Sequence, residues 1–288
     1  MTEGAIRVRG LVKAYPTADG KRRAGPVIDR LDLDIADHEF LCILGPSGCG
    51  KSTFLNIVSG LDRDYEGTIE IDGRHIGERG ATTRISYLFQ DDRLMPWLTA
   101  ERNIDFVLDT CRIGKERRAG IKDHYFDLVG LSAFRNHYPH QLSGGMRQRL
   151  ALVRALCVEP KVLLMDEPFS GLDELTARRL RVDLLRIWRE MRKTIVFVTH
   201  NAYEASFLAD RILVMSRGRI AEEVRVDVPR PRQYDDEAVF RVNQRVVRRF
   251  LEVADAARDG EEQPVTAADP GPDPAAIAAR FGERAARP

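Results

Sequence analysis

Cysteine is scarce and unpaired in this sequence. Four cysteines in 288 residues, none in a CxxC arrangement, give neither a zinc-binding pattern nor a disulfide framework. Cys42, Cys49, Cys111 and Cys157 suit free thiols in a reducing cytosol. Net charge is also nearly absent. Lys and Arg number 45 against 44 Asp and Glu, so charge alone does not suggest a nucleic-acid binder. No apolar run approaches the ~18–20 residues that span a bilayer. Residues 1–10 carry charges where a signal peptide has an apolar centre. The chain is therefore expected to be soluble by itself, with any membrane role depending on a partner. No internal repeat is visible. What remains is an ordinary globular balance, 43% hydrophobic and 31% charged, long enough for one large domain or two small ones.

Short aliphatic runs alternate with helical stretches. Strands are expected at 5–11, 27–33, 40–44, 67–71, 85–89, 161–165 and 194–198, with a closing hairpin, 212–215 and 220–224, around Arg217-Gly218. Helices are expected from Lys51 to Ser59, over most of 99–129, and over 146–156. The run Phe40–Leu44 has no polar alternation, as in a strand buried on both faces. The segment 16–26, rich in Pro, Gly and charge, reads as an exposed loop. This alternation points to an α/β fold with a parallel core. After about residue 255, Ala, Pro and charged residues dominate, so 255–288 reads as a disordered tail.

Two motifs carry chemistry. Gly45-Pro46-Ser47-Gly48-Cys49-Gly50-Lys51-Ser52 fits G-x-x-x-x-G-K-[ST] between an expected strand and an expected helix. Glycines let backbone N–H groups curl around an anion, and the helix start adds its positive dipole end. Lys51 would reach the β- and γ-phosphates of a nucleotide, Ser52 would hold Mg²⁺, and Thr53 could donate to the α-phosphate. Cys49, beside Lys51 and a helix N-terminus, is expected to favour its thiolate. The second motif is Asp166-Glu167-Pro168, directly after an apolar run. Acids at the carboxyl end of a parallel strand face the ligand crevice of an open sheet. Asp166 is placed to hold Mg²⁺, and Glu167 to polarise an attacking water.

Leu142-Ser143-Gly144-Gly145-Met146 precedes a helix and makes a second anion-binding surface. With it the chain resembles the ABC transporter ATPase family, whose signature is LSGGQ or a close variant. Met146 stands where the family usually has Gln, a variant similar to that of nitrate, sulfonate and taurine importer ATPases. The resemblance covers about residues 5–250. It implies a P-loop NTPase core of RecA-like type, an N-terminal antiparallel β subdomain and an inserted helical subdomain near 93–150, all within 1–254. It implies ATP and Mg²⁺ as ligands. Tyr15 would stack on adenine, Gln90 would be the Q-loop glutamine at the metal, Asp173 the D-loop acid and His200 the switch histidine. Asn201 replaces the family's usual Asp after that histidine. The resemblance also implies a head-to-tail dimer, in which Ser143, Gly144 and Gly145 of one subunit cover the other's ATP.

Leu94-Met95-Pro96-Trp97-Leu98-Thr99 and Pro229-Arg230-Pro231-Arg232 are similar to segments of the same importers. Too little chain follows Pro229 for the extra β-domain of maltose-type ATPases. The implied partners are integral-membrane permease subunits and, indirectly, a periplasmic solute-binding protein, with the chain peripheral on the cytoplasmic face of a bacterial inner membrane and no nucleic acid bound. The alternative is an ABC ATPase acting on nucleic acid or the ribosome. A repair or chromosome ATPase would need a long heptad insertion, and a translation-factor ATPase would need two cassettes; neither pattern is present. Val239, Val242, Val246, Val247, Phe250 and Leu251 have helical spacing, with Arg241, Arg245, Arg248 and Arg249 between them. They suggest a terminal helix packed on the core with a basic outer face, or a membrane-surface or regulatory element.

Overall fold

Residues 40–44 cannot alternate between core and solvent, because all five are apolar and all five are buried. A strand of that kind needs cover on both faces, and the computed structural model provides it. The described residues are 5–16, 25–76 and 85–259. In chain order the elements are strands β1 (Ile6–Lys13), β2 (Ile28–Ile35) and β3 (Phe40–Leu44), helix α1 (Lys51–Val58), and strands β4 (Glu66–Ile71), β5 (Arg74–His75) and β6 (Ile85–Leu88). Then come α2 (Ala100–Thr110), α3 (Lys115–Leu128), α4 (Gly144–Leu156), β7 (Val162–Asp166), α5 (Glu174–Met191), β8 (Thr194–Thr199) and α6 (Ala202–Leu208). The hairpin β9 (Arg211–Ser216) and β10 (Arg219–Arg225) and the helix α7 (Glu237–Asp259) complete the order.

Six strands make the central sheet in the order β10-β9-β3-β8-β7-β6. All neighbours in it are parallel except the hairpin β9–β10. A second sheet, β2-β1-β4-β5, is antiparallel throughout. The period-2 geometry of strands divides the core. Leu41 and Ile43 of β3, with Val196 and Val198 of β8, pack with α1 and the antiparallel sheet. Phe40, Cys42 and Leu44, with Phe197, face the opposite way, among residues of α2 to α7. Fully burying a side chain such as Phe197 contributes about 1.5–3 kcal/mol.

The expected parallel core, antiparallel sheet and helical segment are all present, the last as α2, α3 and the start of α4. Helix α5 has no counterpart among the elements expected from sequence. Its apolar positions Ala177, Leu180, Leu184, Leu185 and Ile187 do follow helical spacing and are buried. Arg178, Arg179, Arg181, Arg186 and Arg189 interrupt that pattern and hide it in a linear reading. In α7, Val239, Val242 and Val246 are buried as expected, but Leu251 is exposed. Arg249 pairs with Glu222 of β10, and Arg245 donates to the Arg225 carbonyl, so part of the basic face is committed within the fold. Contacts group residues 1–254 as one unit and 255–288 as another. Of the expected disordered tail, 260–288 lies outside the described residues. No helix among the described residues is long and apolar enough to cross a membrane.

Candidate functional site

Parallel neighbours bring their carboxyl ends to one edge of the sheet. There β3 runs into the Gly45–Gly50 turn, β8 into His200, β7 into Asp166-Glu167, and β6 into Gln90. Four stretches far apart in sequence thus meet along one crevice.

The turn after β3 leaves no room for side chains where it bends. A Cβ on Gly45 would lie 2.6 Å from both the Met215 carbonyl oxygen and Cys49 Sγ. Gly50, the N-cap of α1 at φ 106°, would place a Cβ 2.6 Å from the Val27 carbonyl oxygen. Lys51 opens α1 and is only 5% exposed. Its Nζ donates to the carbonyls of Gly45 at 2.8 Å and Pro46 at 2.9 Å, and stands 4.0 Å from Glu167 Oε1. The ammonium is therefore held inside the bend, beside the backbone N–H groups at the start of α1, where a polyanion would be received. Ser47 and Gly48 are exposed on the bend, and Thr53 is partly buried in the first turn of α1.

Ser52 Oγ donates to Asp166 Oδ1 at 3.0 Å, and the Tyr87 hydroxyl donates to Asp166 Oδ2 at 3.2 Å. Burial raises the pKa of Asp166 above its usual value and Glu167 adds to the effect, against the two hydrogen bonds. A desolvated carboxylate beside a serine hydroxyl is a hard oxygen pair of the kind that suits Mg²⁺, which takes one or two carboxylates plus phosphate oxygens. Glu167 follows with φ 43°, a left-handed conformation that costs a non-glycine residue roughly 1–2 kcal/mol. Its N–H donates to the Val198 carbonyl at 2.9 Å, which ties the bend to β8. Glu167 Oε2 lies 2.8 Å from His200 Nδ1. Lys51, Ser52, Asp166, Glu167 and His200 thus form one connected cluster.

Four expected groups stand outside that cluster. Gln90 is exposed just past β6, and no hydrogen bond of the described residues ties it to Ser52 or Asp166. Tyr15 is 40% exposed and donates to Asp62 Oδ2 at 3.3 Å. Ser143 caps α4, its Oγ accepting from the Met146 N–H at 3.3 Å. Gly144 and Gly145 form the first turn of α4, and Asp173 caps α5 by accepting from the Thr176 N–H at 3.0 Å. The Thr176 side chain, and after it the Thr176 N–H, hold the Asp173 carboxyl below its usual pKa. A Cβ on Gly145 would lie 2.5 Å from Thr176 Cγ2, so the starts of α4 and α5 are in close contact.

One expectation is corrected. Cys49 is 6% exposed and packs in the core beside α1. Burial raises its pKa, and Lys51 only partly offsets that effect. The thiolate is disfavoured because the loop turns this side chain inward, away from the crevice. Sequence reasoning also missed Tyr87, whose place two residues before Phe89 on β6 gave no signal of its partner across the sheet. It missed Arg181 as well, buried at 2% exposure and bonded to Glu204, Glu174 and Tyr234.

The family model described as "ABC transporter" matches residues 28–170. The chain is 40% identical to the nitrate import ATP-binding protein NrtD of Synechococcus elongatus, over 77% of this chain and 81% of the relative. It is 41% identical to the aliphatic sulfonates import ATP-binding protein SsuB of Bacillus licheniformis, over 78% of this chain and 87% of the relative. Among solved structures, a dimeric ATP-binding cassette in a post-hydrolysis state, bound to ADP and Pi, aligns with a TM-score of 0.68 at 31% identity. That match covers 78% of this chain and all of the other. The fold, the phosphate-loop cluster and these likenesses agree: the chain belongs to the ABC transporter ATP-binding proteins and is an ATPase.

Proposed function

We propose that this ATPase powers a membrane importer for a small oxyanionic solute of the nitrate, sulfonate or taurine kind, working as a head-to-tail dimer on the cytoplasmic face of the membrane. Lys51 and the backbone N–H groups of 45–53 bind the nucleotide's phosphates, and Tyr15 stacks on its base. Ser52 and Asp166, assisted by Gln90, would hold Mg²⁺, whose contribution when bound would be to neutralise charge on the phosphates. Glu167 accepts the proton of the attacking water. His200 fixes the Glu167 carboxylate through their 2.8 Å contact and provides a second polar group at the reacting end. Ser143, Gly144, Gly145 and Asp173 serve the site of the partner subunit.

The observation that carries the dimer is a second helix start of anion-binding type, capped by Ser143, besides the one at Lys51. Among the described residues, no hydrogen bond or ion pair joins Ser143 to the Lys51 cluster. A nucleotide held by the partner subunit gives the Ser143 surface its ligand. The decisive experiment pairs Lys51→Ala with Ser143→Arg in an enforced heterodimer. Both lesions then fall on one composite site, and the other keeps its loop, acid and signature. ATP-dependent closure should return in the heterodimer and be absent from both homodimers. A heterodimer as inert as the homodimers in closure and in hydrolysis refutes the trans arrangement.

Import is favoured over action on nucleic acid by the roles of the nitrate and sulfonate import relatives and by Trp97. This indole lies in the segment after Gln90 and is 72% exposed. Trp is enriched among the residues that anchor protein–protein interfaces, as docking on a permease requires. Reconstitution with the cognate permease and binding protein tests the reading. ATPase activity should rise when the binding protein carries an oxyanion, and stimulation by nucleic acid instead would overturn it.

A further inference from the structure

Lys13 is a buried cation with no part in the chemistry above. It ends β1 and is 3% exposed. Its Nζ donates to Asp62 Oδ1 at 2.9 Å and to the Asp64 carbonyl, and lies 3.4 Å from Asp64 Oδ2. The same ammonium stands over the ring of Tyr15, 4.8 Å from its centroid. The other oxygen of Asp62 accepts from the Tyr15 hydroxyl at 3.3 Å. One carboxylate therefore bridges the cation that faces the ring and the hydroxyl at the ring's edge. Burial alone would lower the Lys13 pKa, but Asp62 and Asp64 outweigh it and hold the value above the usual one, so the charge persists at neutral pH.

The far end of the bridge is equally fixed. Asp62 lies just past α1, and the N–H groups of Leu61 and Asp62 both donate to the Asn56 carbonyl, at 2.9 and 3.0 Å. The opposite end of α1 is Lys51, inside the phosphate bend. Lys13, Asp62 and Tyr15 thus connect an exposed aromatic platform to the helix that starts at the phosphates.

We infer that Lys13 and Asp62 are positioning residues that fix the Tyr15 ring at a set distance from the phosphate loop, so that base and triphosphate are bound together at no cost in ordering the platform. The inference rests on the reading of Tyr15 as the base platform. A cation beneath one face draws ring electron density toward itself and leaves the outer face better suited to an electron-rich purine. Ordering the ring in advance removes an entropic cost that binding would otherwise carry.

The test is a double-substitution cycle on the full chain, read by the Kd of ATP and, separately, of inorganic tripolyphosphate, which has no base. Lys13→Met keeps the stem and removes the charge. It should weaken ATP about five- to tenfold, leave tripolyphosphate within twofold, and narrow the preference for ATP over CTP. In a Tyr15→Ala background the same change should cost less than twofold, because the ring it acts on is gone. Lys13→Arg should restore ATP affinity. Should Lys13→Met not fold, Tyr15→Phe removes only the bond to Asp62 from an exposed side chain, and a two- to threefold loss confined to ATP is expected. Equal losses in both backgrounds, or a parallel loss of tripolyphosphate, would overturn the brace while leaving Tyr15 as the platform. Unchanged ATP affinity in Tyr15→Ala would instead refute the platform reading itself, and the brace with it.

Discussion

Adding one methyl group to Gly145 measures how tightly the signature helix and the helix after Asp173 are registered. In Gly145→Ala the new Cβ falls 2.5 Å from Thr176 Cγ2, whereas Thr176 Cβ is 3.9 Å away. Carbon atoms in good contact sit ~3.5–4.0 Å apart, so the shortfall is at least about 1 Å. Thr176 cannot yield freely. It is β-branched, stiff at χ1, and its own N–H is fixed on Asp173. Turning the side chain off its rotamer costs about 0.5–1.5 kcal/mol, and overpacking in general about 1–3 kcal/mol. A gain of up to about 0.5–1 kcal/mol from replacing glycine in a helix opposes this cost. A net loss of about 1–2 kcal/mol is therefore expected, or roughly 2–8 °C in Tm for a chain of this size. Gly144 is the internal control. A Cβ there meets Leu172 Cδ2 at an ordinary 3.6 Å, so Gly144→Ala should be neutral or slightly stabilising. Thr176→Ser removes Cγ2 and should rescue Gly145→Ala, with a coupling energy near the size of the original loss. Urea denaturation of the four proteins and of the double variant decides the matter. Equal stabilities for the two alanine variants, or no rescue by Thr176→Ser, would refute the steric argument.

Further outcomes follow from the site. Glu167→Gln should bind ATP and lose at least about 10²-fold in turnover, and an ATP-held dimer should accumulate; near-native turnover would remove Glu167 from its role. Asp166→Asn should abolish Mg²⁺-dependent hydrolysis yet stabilise the chain at neutral pH. The sign follows from the raised pKa: the unfolded chain releases this proton first, so wild-type stability falls as pH rises from the usual carboxylate range to the folded-state value. The advantage of Asp166→Asn should therefore be absent in acid and full above that window; a pH-independent difference in denaturation midpoint would contradict it. Maleimide should modify the exposed Cys111 well before the buried Cys49, as peptide mass mapping over time would record. Rapid labelling of Cys49 would mean the phosphate bend opens readily in solution.

The chain of 288 residues announced most of its chemistry in linear order, because phosphate binding needs a local shape. Glycines at 45, 48 and 50, a lysine and a serine form one consecutive stretch of backbone, so the motif is legible in the sequence alone. Strand runs such as Phe40–Leu44 were equally legible, since burial on both faces forbids polar residues. The relations between segments were not legible. Whether Cys49 faces the phosphates or the core depends on how the bend packs against Met215, and the packing turned it inward. Tyr87 reaches Asp166 only because β6 and β7 are parallel neighbours in one register. Lys13, Asp62 and Tyr15 meet across sequence separations of 49 and 47 positions. A hydrogen bond between distant side chains leaves no periodic trace in a sequence, because either partner alone is an ordinary surface residue type. Only the tertiary structure, which closes the chain and desolvates Lys13, turns those residues into a link between the Tyr15 ring and the helix that starts at Lys51.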